Sequence, residues 1–553
     1  MSASSNSSKP GSRPPTNPKP TATNQQSRGD SASEPHAPPP PNPNTSGSRT
    51  KSRNPSSLNN EDSTGSGSED GVGNNGDEPV VGNVNKFCAV PPGYSNKPKR
   101  GHLIFDACFE SGNIGRVDYI SDFEYDLFIR PDTCNPKFRV WFNFTVENTV
   151  EGQRVIFNLV NFSKTKSLYR EGMTPCVKSS SRPKWQRLPT KNVYYYKCPD
   201  HHKNYVMSFA FCFDRQKDTY QFAYCFPYTY TRLQAHLDAI EKKKYSYVKR
   251  ESLTSTVQQR RLDLLTITNE ENLDPGKRQK VVGVTSRVHP GESPASFVCQ
   301  GLIDFLISNQ PEAQILRQYI VFKVIPMLNP DGVYLGNYRS SLMGFDLNRH
   351  WGNPSAWAHP TLYAAKNFFL DLDANEDVNV QMYCDIHAHS TLMNGFMYGN
   401  IFEDSNRFER QAVFPRLMSN NCDDFSMANT NFNRDQVKAG TGRRYLGGAM
   451  NEDALCYTLE VSFYGYMTST SSQVIPYTEE AYIKLGRNFG KTFLDYYRMT
   501  GVIPEKIPSS ISLKGNSKKS KKLSRGDTGG LMEYTSNDSS KGRQYLTAAV
   551  SQQ

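Results

Sequence analysis

The sequence predicts an α/β domain with a mixed central sheet and flanking helices, preceded by an antiparallel β-sandwich and flanked by two disordered tails. Three features support this fold class. The chain ends are of low complexity, the segments after residue 86 are short and aromatic, and later segments alternate apolar strands with amphipathic helices. Alternating strands and helices are typical of a domain with a parallel or mixed sheet.

Both ends of the 553-residue chain are predicted to be disordered. Residues 1–85 consist mainly of Ser, Pro, Asn and Gly, and such a composition buries too little apolar surface to offset the entropy of ordering. Residues 504–553 contain the basic stretch KGNSKKSKKLSRGD. A solvated tail is our preferred interpretation of that stretch, and a nuclear-localisation or anionic-surface patch is the alternative.

Residues 86–235 are predicted to form the β-sandwich. Aromatic and β-branched runs in this region are separated by Gly, Pro, Asn and Asp, and several alternate with period two, as half-buried strands do. The clearest runs are HLIFDACFE, KFRVWFNFTVEN, QRVIFNLVNF, NVYYYKC and YVMSFAFCFD. No helical period of comparable strength interrupts them, which favours a sandwich.

Residues 236–503 are predicted to form the α/β domain, and the helical pattern TYTRLQAHLDAIEKKKYS spans its start. The predicted buried strands are VVGVTSRV, YIVFKVIPML, VQMYCDIHAH and CYTLEVSFYG. The predicted helices are SPASFVCQGLIDFLIS and EEAYIKLGRNFGKTFLDYYRM. Because ligands of such sheets bind outside the carboxyl ends of the strands, the polar residues after each strand are the candidates for function.

Charge, cysteine content and hydropathy narrow the classes of function. The chain has 65 Lys and Arg against 54 Asp and Glu, a net charge of +11. A basic protein suits acidic partners such as nucleic acid, an anionic membrane or acidic protein tails, and the charge alone does not distinguish among these three. Eleven scattered cysteines without a CxxC pair indicate reduced thiols in the cytosol. We expect neither a signal peptide nor a membrane span, since no apolar run approaches the required length of about 18 residues.

Two strand ends carry the residue types of a hydrolytic zinc site. His289 and Glu292 follow VVGVTSRV, and His387 and His389 end VQMYCDIHAH. Two imidazole nitrogens and one carboxylate, with a fourth position open, form the ligand set of catalytic zinc. The His–Glu spacing is weak evidence on its own, because most such pairs lie on a solvated surface.

Two further segments hold polar residues suited to binding and proton transfer. Arg339, Asp346, Asn348 and Arg349 lie in one short span, where a guanidinium beside an amide suits a planar carboxylate; surface arginines in a loop are the alternative. Glu460 lies inside the apolar strand CYTLEVSF. Because carboxylates are rarely buried without a partner, Glu460 is either salt-bridged for structure or carries a catalytic proton.

These segments together resemble a known family. HPGE, NPDG, GFDLNR, DIHAH and TLEVSFYG stand in the order and approximate spacing of the zinc metallocarboxypeptidases, and in particular of the cytosolic carboxypeptidases. Upstream, FAFCFDRQKDTYQFAYCFPYTYTRLQAHL resembles the end of the β-rich N-terminal domain of those enzymes. The resemblance spans about residues 86–500 and implies a metallocarboxypeptidase fold for the α/β domain.

The resemblance also implies a metal site. His289, Glu292 and His387 would be the ligands of one Zn²⁺ ion. His389 is the rival to His387, and we prefer His387 because the first histidine of the pair matches the family's ligand. Asp346 resembles a carboxylate that orients the first histidine.

Roles in catalysis are implied in the same way. Glu460 would be the general base and then the general acid, and Arg339 would stabilise the oxyanion. Asn348 and Arg349 would clamp the substrate's terminal carboxylate, so that only chain ends are cleaved.

The family resemblance implies removal of C-terminal glutamates from polyglutamylated proteins such as tubulin and from other acidic tails. A pocket for glutamate should contain a cation. Arg443 in GTGRRYLGG is our candidate and Arg444 the runner-up, while a basic loop facing water is the alternative. We expect a monomer in the cytosol, with the microtubule cytoskeleton, centriole or cilium base as possible sites of action and with no nucleic-acid partner.

The same residues also suit two other functions, and one helical segment resembles a nucleotide-binding motif. A catalytically silent module that binds acidic tails, and a zinc amidohydrolase of the aminoacylase type, remain alternative functions. GRNFGKT resembles a phosphate-binding loop, but that motif needs four residues between its first glycine and GK, whereas this segment has three. It also lies in a helical pattern, so we reject a nucleotide site there.

Overall fold

The first part of the chain forms two sheets that pack face to face. The structure, a computed structural model, describes residues 82–201, 204–432, 436–468 and 470–505. Residues 1–81 and 506–553, which make up nearly all of the two predicted tails, lie outside the described residues. The strands of the two sheets are β1 Phe87–Cys88, β2 Ile104–Asp106, β3 Arg116–Ser121, β4 Glu124–Phe128, β5 Asn143–Glu147, β6 Arg154–Phe162, β7 Cys176–Ser179, β8 Gln186–Arg187, β9 Val193–Lys197, β10 Tyr205–Cys212 and β11 Tyr220–Ala223.

Aromatic side chains hold the two sheets together. One sheet has the order β1-β2-β5-β11-β7-β8 and the other β3-β4-β6-β10-β9. Phe105 and Phe144 of the first sheet lie 5.7 and 6.0 Å, between ring centroids, from Phe157 of the second. Phe209 and Phe222 meet in the same way at 5.4 Å. Edge-to-face and tilted contacts of this kind stabilise beyond the area they bury, and they confirm the predicted sandwich.

One strand pair differs from the antiparallel prediction. β4 and β6 run parallel, with Tyr125 opposite Phe157, whereas the other paired strands of the two sheets are antiparallel. Parallel neighbours need a crossover connection. The chain supplies one by passing through β5, a strand of the opposite sheet, before it returns as β6.

The second part of the chain alternates strands and helices. Its strands are β12 Val248–Ser255, β13 Arg261–Ile267, β14 Gln279–Ser286, β15 Val321–Ile325, β16 Val378–His389, β17 Gly395–Gly399, β18 Asn431–Phe432, β19 Leu455–Ser462, β20 Gly465–Thr468 and β21 Ser471–Pro476. Its α-helices are α1 Tyr230–Glu241, α2 Ser293–Leu306, α3 Pro311–Tyr319, α4 Pro330–Leu335, α5 Pro360–Ala374, α6 Ser405–Asn421, α7 Gly442–Ala449 and α8 Glu479–Met499. Single 3₁₀ turns occur at Leu168–Glu171, Thr190–Asn192, Glu270–Asn272, Leu347–Arg349 and Gln436–Lys438.

Strands β12 to β19 build one mixed sheet, as predicted. Its order is β12-β13-β15-β14-β16-β19-β17-β18, and the four central strands β15, β14, β16 and β19 run parallel. Their side chains are buried on both faces, which explains why these strands are continuously apolar in the sequence. The carboxyl ends of β14, β16 and β19 therefore meet at one edge of the sheet.

Helices α2 and α8 pack against each other through glycine. A Cβ atom added to Gly486 would lie 1.9 Å from the carbonyl oxygen of Val298, and one added to Gly301 would lie 2.1 Å from that of Ile483. The glycines thus allow the two backbones to approach closely. Gly486 opens GRNFGKT, which lies entirely within α8, so these glycines serve helix packing.

None of the helices in the described part of the chain combines the length and apolar composition needed to cross a membrane.

We expect Gly486→Ala to lower the free energy of unfolding by about 1–3 kcal/mol, because the added methyl group overpacks the contact between α2 and α8. Thermal unfolding followed by circular dichroism measures the effect. Gly448→Ala is the matched control, since Gly448 also lies in a helix but has open space around its Cα. There the substitution should be neutral or slightly stabilising, and equal losses in both variants would contradict the packing argument.

Candidate active site

The turn after β14 presents the first two residues of the site. β14 ends at Ser286, and α2 begins directly after Glu292. Gly291 allows the turn to pass close to Tyr338: its N–H donates to the Tyr338 carbonyl at 2.7 Å, and a Cβ there would lie 2.5 Å from the Tyr338 ring. The buried Arg287 side chain braces the turn by donating from Nε to the carbonyl of Pro290 at 2.8 Å.

Three buried side chains converge at the carboxyl edge of the sheet. The Nδ1 atom of His289 lies 2.7 Å from one carboxylate oxygen of Glu292, and the Nδ1 atom of His387 lies 2.9 Å from the other. One nitrogen or oxygen from each residue lies within 4.8 Å of the other two. The residues are only 4%, 7% and 3% exposed. The structure therefore brings together the three predicted metal ligands.

The outer nitrogen of each imidazole is bound to a further carboxylate. The Nε2 atom of His289 lies 3.1 Å from Asp346, and that of His387 lies 2.8 Å from Asp385. Asp385 in turn accepts a hydrogen bond from the hydroxyl of Thr285 at 2.8 Å. Carboxylates in this position fix the orientation of a histidine and leave its other nitrogen for a metal. The Nδ1 atoms of His289 and His387 both face Glu292, so the two nitrogens left for a metal lie on the same side of the site.

The charges of the site suit a cation. Burial alone would raise the pKa of Glu292, but the neighbouring His289 and His387 bring it well below its usual range. Burial would also raise the pKa of Asp346, but the neighbouring Arg339 and His289 bring that pKa well below its usual range. Both carboxylates are thus negatively charged at neutral pH. Two imidazole nitrogens and one ionised carboxylate, all buried, fit Zn²⁺ with a fourth position open.

Glu460 lies beside this group on the neighbouring strand. It is directly opposite His387 in the parallel pairing of β16 and β19, so their side chains share a face. Burial raises the pKa of Glu460 to about 6. Among the described residues, no side chain or backbone group forms a hydrogen bond or ion pair with its carboxylate. The structural salt bridge considered for Glu460 is therefore absent from the described part of the chain.

Arg339 is tied to the same network. Its Nε donates to Asp346 at 2.7 Å, and the other oxygen of Asp346 faces His289. The backbone N–H groups of Tyr338, Arg339 and Ser340 all donate to Asp132, at 2.6, 2.8 and 2.7 Å. Asp132 belongs to the β-rich part of the chain, so a residue far away in sequence holds the segment that carries Arg339.

Two of these carboxylates were missed by sequence reasoning. Asp385 could have been found, since it lies two residues before His387 on a strand and therefore on the same face. Asp132 gave no such signal, because its role depends on a contact more than 200 positions away.

The predicted carboxylate clamp lies next to the metal ligands. Asn348 and Arg349 belong to the 3₁₀ turn Leu347–Arg349, and the Asp346 side chain caps this turn by accepting the N–H of Asn348 at 3.0 Å. The Asn348 side chain accepts a hydrogen bond from the N–H of Gly442 at 3.0 Å, and its Nδ2 lies 3.2 Å from the Nε2 of His387. Arg349 is half-buried and donates to the carbonyl of Asn348 at 3.0 Å.

Arg443 is buried in the first turn of α7, adjacent to the contact between Asn348 and Gly442. It is 2% exposed, and its NH1 donates to the Gly399 carbonyl and to the Asn400 side chain, both at 2.6 Å. Burial lowers its pKa to about 10, so the guanidinium remains charged at neutral pH. The alternative interpretation, a basic loop that faces water, is therefore excluded for Arg443. The runner-up, Arg444, is half-buried.

His389 points to a different set of partners. Its Nδ1 accepts hydrogen bonds from the N–H groups of Thr391 and Leu392, both at 3.2 Å, and its ring packs edge-on against Phe396. The group that could hold a metal consists of His289, Glu292 and His387 and does not include His389.

Known families and proteins are similar to both parts of the chain. The zinc carboxypeptidase family model matches residues 233–483, and the model of the cytosolic carboxypeptidase N-terminal domain matches residues 105–225. Human cytosolic carboxypeptidase 6 is 67% identical over 431 residues, covering 78% of this chain and 86% of the relative. Cytosolic carboxypeptidase 6 of Caenorhabditis elegans is 48% identical over 410 residues, covering 72% and 88%.

Solved structures share the fold. A metallo-carboxypeptidase from Burkholderia cenocepacia superposes with a TM-score of 0.61 at 22% identity, covering 72% of this chain and 99% of that structure. A metallo-carboxypeptidase from Pseudomonas aeruginosa, in complex with (2-guanidinoethylmercapto)succinic acid, gives a TM-score of 0.58 at 22% identity and the same coverage.

The fold and the site define a zinc-dependent hydrolase, and His289, Glu292 and His387 form the group that could hold its metal. The chain belongs to the zinc metallocarboxypeptidase family and, within it, to the cytosolic carboxypeptidases. The resemblance indicated by the sequence motifs is thereby confirmed, as are the metallocarboxypeptidase class and the zinc cofactor.

We expect His289→Ala, Glu292→Ala and His387→Ala each to abolish stoichiometric zinc binding, because each removes one of three ligands. Asp385→Asn should weaken zinc binding about 10- to 100-fold, since it removes the partner that orients His387. Elemental analysis of purified protein, with circular dichroism to verify folding, measures both effects. His389→Ala is the control and should retain zinc; loss of zinc there and retention in His387→Ala would reverse the ligand assignment.

Proposed function

We propose that this metallocarboxypeptidase removes C-terminal glutamates from polyglutamylated proteins such as tubulin and from other acidic protein tails. The observation that carries the proposal is the pairing of β16 with β19, in which Glu460 lies opposite His387 and has no described partner. A carboxylate held beside a metal centre with a pKa near 6 suits proton transfer at neutral pH. The resemblance and the family membership supply the reaction class.

In this proposal His289, Glu292 and His387 hold the zinc ion. When bound, Zn²⁺ supplies Lewis-acid chemistry, which polarises the scissile carbonyl and makes water more acidic. Glu460 takes the proton of the attacking water. It then returns the proton to the leaving amine, so one residue serves as base and acid in turn.

Arg339 stabilises the charge that develops on the carbonyl oxygen. Its Nε is already held by Asp346, which fixes the plane of the guanidinium before substrate arrives. Pre-oriented donors of this kind contribute most when charge develops, and loss of one typically costs roughly 3–4 kcal/mol in the barrier. Asp346 thereby orients both His289 and Arg339.

Asn348 and Arg349 give the enzyme its preference for chain ends. A guanidinium beside an amide matches the free carboxylate of a terminal residue, which an internal peptide bond lacks. The proximity of Asn348 to His387 supports this role, because it places the clamp beside a proposed zinc ligand.

Arg443 supplies the charge that favours glutamate at the chain end. Its guanidinium is held by carbonyl and amide oxygens, which are neutral, so its charge remains available to an anion. The net charge of +11 further favours acidic partners such as tubulin tails. We propose that the enzyme acts in the cytosol as a monomer, at microtubules, centrioles or the base of cilia.

We expect Glu460→Gln to lower kcat about 10²- to 10⁴-fold while leaving zinc content and substrate affinity close to those of the wild type, because only proton transfer is lost. Free glutamate released from polyglutamylated tubulin measures the rate. Glu452→Gln, an exposed glutamate shortly before β19, is the control and should retain full activity. Tight binding of tails by wild-type protein without any release would instead support the silent binding module.

We expect a glutamate-ended peptide with an amidated C-terminus to lose at least about 100-fold in kcat/KM relative to the free acid, because the clamp then lacks its charged partner. Arg349→Ala should reduce this discrimination by about tenfold or more. Mass spectrometry of the truncated peptide gives both rates. If a small N-acylated amino acid is hydrolysed faster than any peptide, the amidohydrolase alternative is correct.

A further inference from the structure

A segment of the β-rich region reaches the edge of the active site. The chain leaves β6 at Phe162, and Leu168 donates its N–H to the carbonyl of Ser390 at 3.1 Å. Tyr195 fixes the backbone of this segment by donating its hydroxyl to the carbonyl of Lys164 at 2.6 Å. The segment between β6 and Leu168 therefore lies against the residue that follows β16.

The ammonium group of Lys164 lies between two site segments. It donates to the hydroxyl of Tyr338 at 3.0 Å and to the hydroxyl of Ser390. Tyr338 directly precedes Arg339, and Ser390 is three residues beyond His387. Lys164 thus extends from the sandwich to the rim of the metal centre.

The charge of Lys164 is not neutralised by the described residues around it. An ammonium has three N–H donors, and two of them go to hydroxyl groups, which carry no net charge. No described carboxylate lies within ion-pair distance of its Nζ. Because the side chain is half-buried, this charge is less screened than that of a lysine on the open surface.

The partners of Lys164 differ from those of the terminal clamp. Asn348 is linked to the start of α7 through Gly442, whereas Lys164 is linked to Tyr338 and Ser390. Lys164 and the clamp therefore contact different segments beside the candidate metal ligands. Glutamate chains carry a carboxylate on both sides of the scissile bond.

We propose that Lys164 binds the side-chain carboxylate of the residue that precedes the scissile bond. This inference rests on the proposed function and names a specificity residue for it. Lys164 lies within residues 105–225, which match the N-terminal domain model, so the sandwich contributes directly to substrate recognition. The enzyme then distinguishes a glutamate chain from a single terminal glutamate.

Two peptides that differ only before the scissile bond test the proposal, one ending in Glu-Glu and the other in Gln-Glu. For wild-type enzyme we expect higher kcat/KM with Glu-Glu. Lys164→Met should lower kcat/KM for Glu-Glu about tenfold, mainly through KM, and leave Gln-Glu within about twofold. Lys164→Arg should keep most of the preference, and Lys166→Met, an exposed lysine of the same segment, should behave as wild type.

The outcomes separate the inference from the function on which it rests. Equal losses on both peptides in Lys164→Met, or no loss on either, would overturn the role of Lys164 and leave the carboxypeptidase assignment intact. Failure of wild-type, zinc-loaded enzyme to release glutamate from either peptide would overturn both. Zinc content and thermal unfolding of each variant verify that the site is assembled.

Discussion

The site depends on one carboxylate shared by two histidines. Glu292 faces His289, three residues away, and His387, 95 residues away, and it also accepts the N–H of Ala388 at 3.0 Å. A buried carboxylate is costly unless it is paired and hydrogen-bonded. Glu292 lies directly before α2, so its carboxylate needs the end of β16 beside it to supply His387 and the N–H of Ala388. The same contacts, which offset the cost of burying the charge, also bring the two imidazoles to one carboxylate.

The sandwich keeps the remaining part of the site in place. Asp132 accepts three successive backbone N–H groups of residues 338–340, and Arg130 donates to the carbonyl of Leu335 at 2.6 Å. Burial raises the pKa of Asp132, and those three N–H groups act against the rise. The segment that carries Arg339 is thus held from outside the mixed sheet. In the proposed function this gives the β-rich region a role in catalysis as well as in stability.

Local patterns predicted most of the fold and pointed to His289, Glu292, His387 and His389, because strand and helix periods and strand-end residues are local properties. The preference for His387 over His389 came from the family resemblance. The parallel pair β4–β6 was not predictable, since it depends on the path of β5 through the other sheet. Asp132 and Lys164 act over 174 or more positions, and no neighbouring residue marks them. For Arg443, the run GTGRRYLGG fits a water-facing loop and a buried helix start equally well, and only tertiary packing distinguishes the two.

The cations of the site fall into two electrostatic classes. Arg339 is paired with Asp346, so its charge is largely balanced within the protein. Among the described residues, Arg443 and Lys164 are instead held by neutral carbonyl, amide and hydroxyl oxygens. Neutral dipoles orient a cation without cancelling its charge. Burial without a counterion disfavours the charged form, and the lowered pKa of Arg443 shows this effect. In the proposed function, this cost in stability is recovered when an anion binds, and the site would therefore favour acidic chains over neutral ones.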